Sequence, residues 1–122
     1  MPYVAAVLVA FVGLEHIYIM VLEMFLWATP TGLRTFKRSR EEQEATKVLA
    51  ANQGLYNGFL AAGLLGSFLL PAEMVFIARV FFLASVLVAG IYGGLTAVRR
   101  ILFVQALPAA LALAVVLAAH LG

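Results

Sequence analysis

The sequence predicts an all-α polytopic membrane protein, a four-helix transmembrane bundle forming a single domain over residues 1–122. Three observations lead there. Of the residues, 65% are hydrophobic and only 11% are charged, with a mean hydropathy of +1.06, so there is too little polar surface to wrap a water-soluble domain. The apolar stretches reach the length of about 20 residues that a bilayer crossing needs. The Lys and Arg residues gather in the connections between those stretches. This composition excludes a conventional soluble enzyme domain, an extended linker and a disordered tail. The absence of cysteine removes disulfides, thiol nucleophiles and thiolate metal ligands from consideration. A pI near 9.3 reads as a topology signal, with no nucleic-acid partner implied.

The first span is expected over residues 3–27. It lacks a basic leader and a small-residue cleavage site, and it carries Glu15, His16 and Glu23, so it reads as a retained span and not a signal peptide. Residues 28–46 read as a cytoplasmic basic loop that opens with a Thr-Pro-Thr-Gly turn and holds Arg34, Lys37, Arg38 and Arg40. Within it, Ser39-Arg40-Glu41-Glu42 fits the S-x-x-E capping box, which starts the next helix near Arg40. The second span covers residues 47–70 and stops at Pro71. The turn at residues 71–73 is so short that the third span, 74–96, must run antiparallel to the second. Arg99 and Arg100 mark a tight connection to the fourth span, 102–120, where Pro108 frees the carbonyl of Val104 and predicts a mild kink. Gly54 with Gly58, and Gly90 with Gly94, are small residues at four-residue spacing that let helices approach closely.

Seven of the eight Lys and Arg residues lie in the first and third connections or beside them, with Arg79 alone near the other side. The bias places the basic loops in the cytoplasm and both termini outside.

The chemistry is carried by polar residues inside the spans. His16 and Glu23 are seven residues apart, about 20° around a helix, and share one side of the first span with Trp27; Glu15 is about 100° from His16. An ionisable group at the bilayer centre costs about 2.5 to 3.5 kcal/mol even on lenient scales, so three on one span are expected to face the protein interior. The second span adds Asn52, Gln53, Tyr56 and Asn57, the third Ser85, Tyr92 and Thr96, and the fourth Gln105. Their depths overlap, which predicts one polar cavity in the cytoplasmic half, with Glu15, His16 and Glu23 as proton-handling groups. Trp27, Asn52, Gln53, Tyr56, Asn57, Ser85, Tyr92 and Gln105 would be its ligand-binding lining. The plainer reading of each group is an interhelical hydrogen bond that fixes register. Glu23 could also reach Arg34 or Lys47 in the loop.

Other residues read structurally. Arg79 is expected to reach the outer interface towards Glu73, His120 to be interfacial, and Glu44 to pair with Lys47. Phe59, Phe68, Phe76, Phe81 and Phe82 read as lipid-facing or packing residues. No Glu-x-x-His or H-E-x-x-H pattern is present, so no metal or cofactor is assigned.

Leu14-Glu15-His16-Ile17-Tyr18, Leu22-Glu23-Met24-Phe25-Leu26-Trp27 and the run Lys47 to Phe59, which contains Asn52-Gln53-Gly54-Leu55-Tyr56-Asn57-Gly58, resemble the DUF1304 family of small bacterial integral membrane proteins. Val88-Ala89-Gly90-Ile91-Tyr92-Gly93 and Val104-Gln105-Ala106-Leu107-Pro108-Ala109 extend the resemblance along the chain. It implies a four-span bundle in a bacterial inner membrane and no assigned activity.

Three functional readings follow. In the first, the cavity binds or transports a small organic molecule or cation, with Glu15 providing a charge or an exchangeable proton. Size and a mid-span acid are similar to small multidrug resistance transporters, although the strong charge bias counts against their antiparallel dimers. In the second, the same groups form an acid–base enzyme, isomerase- or epimerase-like, acting on a lipid-soluble substrate, in the manner of the emopamil-binding sterol isomerases. In the third, the chain is a structural subunit of a membrane complex. The expected partners are membrane lipid and an unidentified small-molecule ligand, with self-association into a homo-oligomer left open. Single cysteines placed at Ser39 and Gly122 are expected to label from opposite faces of the membrane, Ser39 from the cytoplasm. Equal labelling of both from both faces would show dual insertion.

Overall fold

The computed structural model describes residues 1–122. The chain is helical with no strands. It has five α-helices: α1 (Pro2–Phe25), α2 (Pro30–Phe36), α3 (Arg40–Gly66), α4 (Ala72–Thr96) and α5 (Leu107–Leu121). Three stretches are long and apolar enough to cross a membrane: Pro2–Phe25, Ala72–Thr96 and Leu102–Leu121. The sequence reading expects four. α3 has the length, 27 residues, but its charged first turns and its amides lower its hydropathy below that of the others.

The stretch at residues 28–46 contains more structure than a loop. Thr29 is an N-cap, its hydroxyl accepting from the Gly32 N–H at 3.4 Å, and Pro30 occupies the first turn of α2. The Thr-Pro pair that reads as a turn therefore starts a helix: threonine supplies an acceptor, and proline needs no partner for an N–H it lacks. Lys37 closes α2 in the left-handed region at φ 57°. The Ser39 half of the capping box forms as expected, while the Glu42 carboxylate bonds to the Ser39 hydroxyl and not to a backbone N–H. The Glu42 N–H donates to Ser39 Oγ at 3.1 Å, and Ser39 Oγ donates back to the Glu42 carboxylate at 3.3 Å. α3 ends at Gly66, four residues earlier than the span expected from sequence, and a 3₁₀ turn, Ser67–Leu69, leads to Pro71, the N-cap of α4.

The expected kink at Pro108 takes a specific form. Residues Leu102–Ala106 make a π-helical turn, and the Leu107 N–H donates to the Leu102 carbonyl. Proline at 108 lacks an N–H and crowds the carbonyl four residues back, so the ladder widens just ahead of it.

The chain divides into two compact units, Met1–Leu14 with Leu60–Gly122, and Glu15–Phe59. The first unit has a core of small and branched residues: Ala5, Val9 and Val12 of α1, Leu64 of α3, Leu83 and Val86 of α4, and Ala109, Ala112 and Val116 of α5. Larger residues face outward, among them Val7, Phe11, Ile77, Phe81 and Phe103, each more than half exposed. Small inside and large outside is the arrangement of helices that pack in lipid, where close approach replaces the hydrophobic drive. Glycine permits that approach in α4. A Cβ on Gly90 would stand 2.7 Å from the backbone nitrogen of Ala106 in the π turn, and one on Gly94 would meet the Leu102 side chain. Phe76 and Phe82 pack against the core, while Phe59, Phe68 and Phe81 are exposed. Arg79 departs from expectation. It does not pair with Glu73, which lies six residues away and about 120° around the helix. Its Nε donates instead to Ser67 Oγ at 2.9 Å, and the guanidinium lies over the Phe68 ring at 4.4 Å.

In the Glu15–Phe59 unit, Gly54 and Gly58 of α3 let Met24 and Met20 of α1 come close. At Gly32 a Cβ would collide with the carbonyls of Leu26 and Trp27, so α2 rests directly on the end of α1. Lys47 pairs with Glu44 at 3.3 Å on the exposed side of α3, as expected for i,i+3 neighbours.

Gly90→Ala is expected to lower the detergent melting temperature, since a backbone atom cannot move aside and overpacking costs about 1–3 kcal/mol. Gly93→Ala, whose Cβ would make ordinary 3.5 Å contacts with Ile101, leaves it unchanged or raises it, because alanine favours helix. Equal melting temperatures for the two variants would show that the Gly90 contact does not limit stability.

Candidate functional site

α1 carries a carboxyl group into an apolar helix, and α3 answers it with two amides one turn apart. Gln53 and Asn57 are i,i+4 neighbours on one side of α3. Gln53 Nε2 donates to Glu23 Oε2 at 3.0 Å, and Asn57 Nδ2 donates to Glu23 Oε1 at 2.5 Å. Glu23 is 5% exposed and Asn57 7%. Each carboxyl oxygen thus has one amide donor and keeps one lone pair. No Lys or Arg pairs with Glu23: the link to Arg34 or Lys47 that its position allows is absent, and Lys47 engages Glu44 instead.

Just beyond the end of α1, Trp27 organises the junction with α2. Its indole Nε1 donates to Thr46 Oγ1 at 3.1 Å, its ring lies 4.4 Å from the Phe36 ring, and its carbonyl accepts from Gln43 Nε2. Gln43 is fully buried and its Oε1 has no hydrogen-bond partner. Sequence reading misses Gln43 and Thr46. Gln43 sits between Glu42 and Glu44 in a segment that looks solvated, and only the Thr-Pro start of α2 hints that something covers it. Beside this junction runs a groove of about 480 Å³, lined by Glu23, Met24 and Trp27 of the α1 end, Thr29, and Glu44, Lys47, Val48 and Ala51 of α3.

The remaining candidates fall elsewhere. Asn52 and Tyr56 form the next i,i+4 pair on α3; they are exposed, as is Gln53, and of the four polar residues only Asn57 is buried. His16 is fully buried; its Nδ1 lies 3.9 Å from Glu15 Oε1, too far for a hydrogen bond, and that oxygen has no hydrogen-bond partner. In the other unit, the Ser85 hydroxyl donates to the Phe81 carbonyl at 2.8 Å, and Tyr92 is 71% exposed on α4. Both line an open, apolar trough along that helix. They belong to an outer surface and not to a buried polar cavity. Gln105 lies in the π turn. No three His, Asp or Glu side chains gather where they could hold a metal ion.

The DUF1304 family matches residues 10–117 of the chain. The chain belongs to this family. Its description is "Protein of unknown function", and residues 10–117 take in Glu15, Glu23, Gln53 and Asn57 together. A relative from Lactococcus lactis subsp. lactis (strain IL1403), the uncharacterized protein YpaA, is 36% identical over 115 residues, which span 93% of this chain and 96% of the relative. No solved structure matches the chain.

Loss of one amide is expected to be felt unequally at the two donors. Asn57→Ala leaves a buried carboxyl oxygen of Glu23 without a donor and lowers stability by about 1–3 kcal/mol. Gln53→Ala, at an exposed position where water can replace the amide, costs less. Thermal denaturation in detergent reads both, and an equal loss would show that the two bonds are equivalent.

Proposed function

We propose that this chain is an integral membrane protein that binds a small organic molecule bearing hydrogen-bond donors, an ammonium or a guanidinium above all, in the groove beside Glu23. The observation that carries the reading is the buried Glu23 carboxyl, held in place by Gln53 and Asn57 and unmatched by any cation of the protein. Each amide gives one N–H to the carboxyl, and the second lone pair on each Glu23 oxygen remains to accept from a ligand in the groove that Glu23 lines. A donor-rich cation complements such a surface. Trp27 at the groove offers an aromatic face and a rigid wall.

In this reading α3 is a fourth crossing. After Lys47 it carries no charged residue up to Gly66, its outward positions include Val48, Leu49, Leu55 and Phe59, and two of the amides that lower its hydropathy are already satisfied by Glu23. Lipid tolerates polar groups that the protein itself satisfies. The basic residues of α2 and the start of α3 then stand at the cytoplasmic face of a bacterial inner membrane, by the positive-inside bias.

Trp27 is the single tryptophan of the chain, so tryptophan fluorescence in detergent, excited at the red edge where the four tyrosines do not absorb, reports on the groove. Titration with benzylamine or with benzylguanidinium is expected to shift or quench that fluorescence saturably, whereas benzoate does not, and Glu23→Gln abolishes the response while the protein stays folded. The same response in Glu23→Gln, or an equal one to benzoate, would overturn the proposal.

A further inference from the structure

At the Ala72 end of α4, well away in sequence from the Glu23 groove, a cation lacks a counter-ion. Arg79 projects from a helix apolar enough to cross a membrane, and only its Nε is engaged, donating to the buried Ser67 hydroxyl, which itself donates to the Leu64 carbonyl at 2.6 Å. With the guanidinium plane lying over Phe68 at 4.4 Å, the group is fixed on two sides. No hydrogen bond or ion pair engages its two terminal nitrogens. They border a pocket of about 230 Å³ whose rim also carries His120 and Phe76, the imidazole stacked on the Phe76 ring at 3.6 Å and 15°. A positive charge held rigidly, with its outer donors free and a second nitrogen donor nearby, is built for an anion.

Phe76 also begins the apolar trough on α4, which continues through Ile77, Phe81, Ser85 and Ala89 to Tyr92 and measures about 890 Å³. Sixteen residues of helix rise make it about 24 Å long, more than the hydrocarbon depth of one leaflet, about 15 Å or half of a 30 Å core. The cationic pocket and the trough meet at Phe76, and together they have the shape and polarity of one amphiphile. We propose that this surface is a lipid-binding site, in which Arg79 and His120 hold the anionic headgroup of a phospholipid and one acyl chain lies along the trough of α4. Charge selects the headgroup, because the terminal nitrogens of Arg79 otherwise remain unpaired at membrane depth. The polar requirement is met by lipid where a soluble protein would supply a carboxylate.

The test is native mass spectrometry of the whole protein released from mild detergent after incubation with phosphatidylglycerol, phosphatidylcholine or inorganic phosphate. One phosphatidylglycerol is expected to be retained about tenfold or more over phosphatidylcholine, the ratio that a charge-assisted contact worth about 1.4 kcal/mol produces. Inorganic phosphate, which has no chain for the trough, fails to displace it. Arg79→Gln brings phosphatidylglycerol down to the level of phosphatidylcholine. Ala89→Trp, an exposed position in the trough that leaves Arg79 in place, weakens both lipids. Equal retention of the two lipids by the unaltered protein overturns the proposal whatever the variants do. Displacement by phosphate alone shows a simple anion site, and a lipid-free dimer that Ala89→Trp dissociates shows that a second copy covers the trough; either result also overturns it.

Discussion

A carboxyl group on a helix apolar enough to enter lipid must find its hydrogen-bond partners inside the protein, and the Glu15–Phe59 unit is arranged around that requirement for Glu23. Two amides at i and i+4 on α3 can reach the two oxygens of one carboxyl only if the helices are close. Gly54, between Gln53 and Asn57 in sequence, removes the side chain that would hold them apart. The pair Gln53 and Asn57, the glycine, and the methionines that fill the space beside it are therefore one device. Replacing any of them changes the distance on which the hydrogen bonds depend. The same closeness brings α2 onto the end of α1, where Gly32 has no room for a Cβ and Gln43 ties the Trp27 carbonyl to α3.

The unit of Met1–Leu14 with Leu60–Gly122 satisfies a different condition. It has almost no polar contact to orient it and relies on shape: valine and alanine inside, glycine where α4 meets the π turn, and large apolar residues outside. Such packing gains little from the hydrophobic effect once the surroundings are hydrocarbon, so van der Waals fit carries the burden. A cavity or a clash there is felt directly, and outward positions such as Ile77 and Phe81 are free to vary.

Much of this was legible from residue types. The capping box at Ser39, the tight turn at Pro71, the Glu44–Lys47 pair, the close glycines and the irregularity ahead of Pro108 each rest on local rules that need no tertiary information. Where the reading fell short, distance around a helix or coverage by a neighbour decided the matter. Asn52, Gln53, Tyr56 and Asn57 span too wide an arc to share one partner, so α3 turns two of them to Glu23 and two outward. Ser85 and Tyr92 were expected to line the polar cavity, but they lie along an open, apolar trough on the outside of α4. Gln43 sits among glutamates in sequence, yet it is buried and its amide donates to the Trp27 carbonyl, a partner sixteen residues away. The Thr-Pro pair at the start of α2 was misread as a turn because the same two residues serve both purposes, and only the residues that follow distinguish them.

The π turn at Leu102–Ala106 is a matter of counting as well as of bonding. A widened turn accommodates one residue more than an α-helix of the same rise, so the phase of every later side chain depends on that extra residue. Deleting one position there would mend the ladder and keep that phase, whereas closing the turn into a regular α-helix with every residue retained would rotate the whole of α5 by about 100°. Ala109, Ala112 and Val116 would leave the core, and leucines would arrive in spaces cut for alanine. The last helix is thus keyed by the irregularity that precedes it, and its sequence makes sense only in that frame.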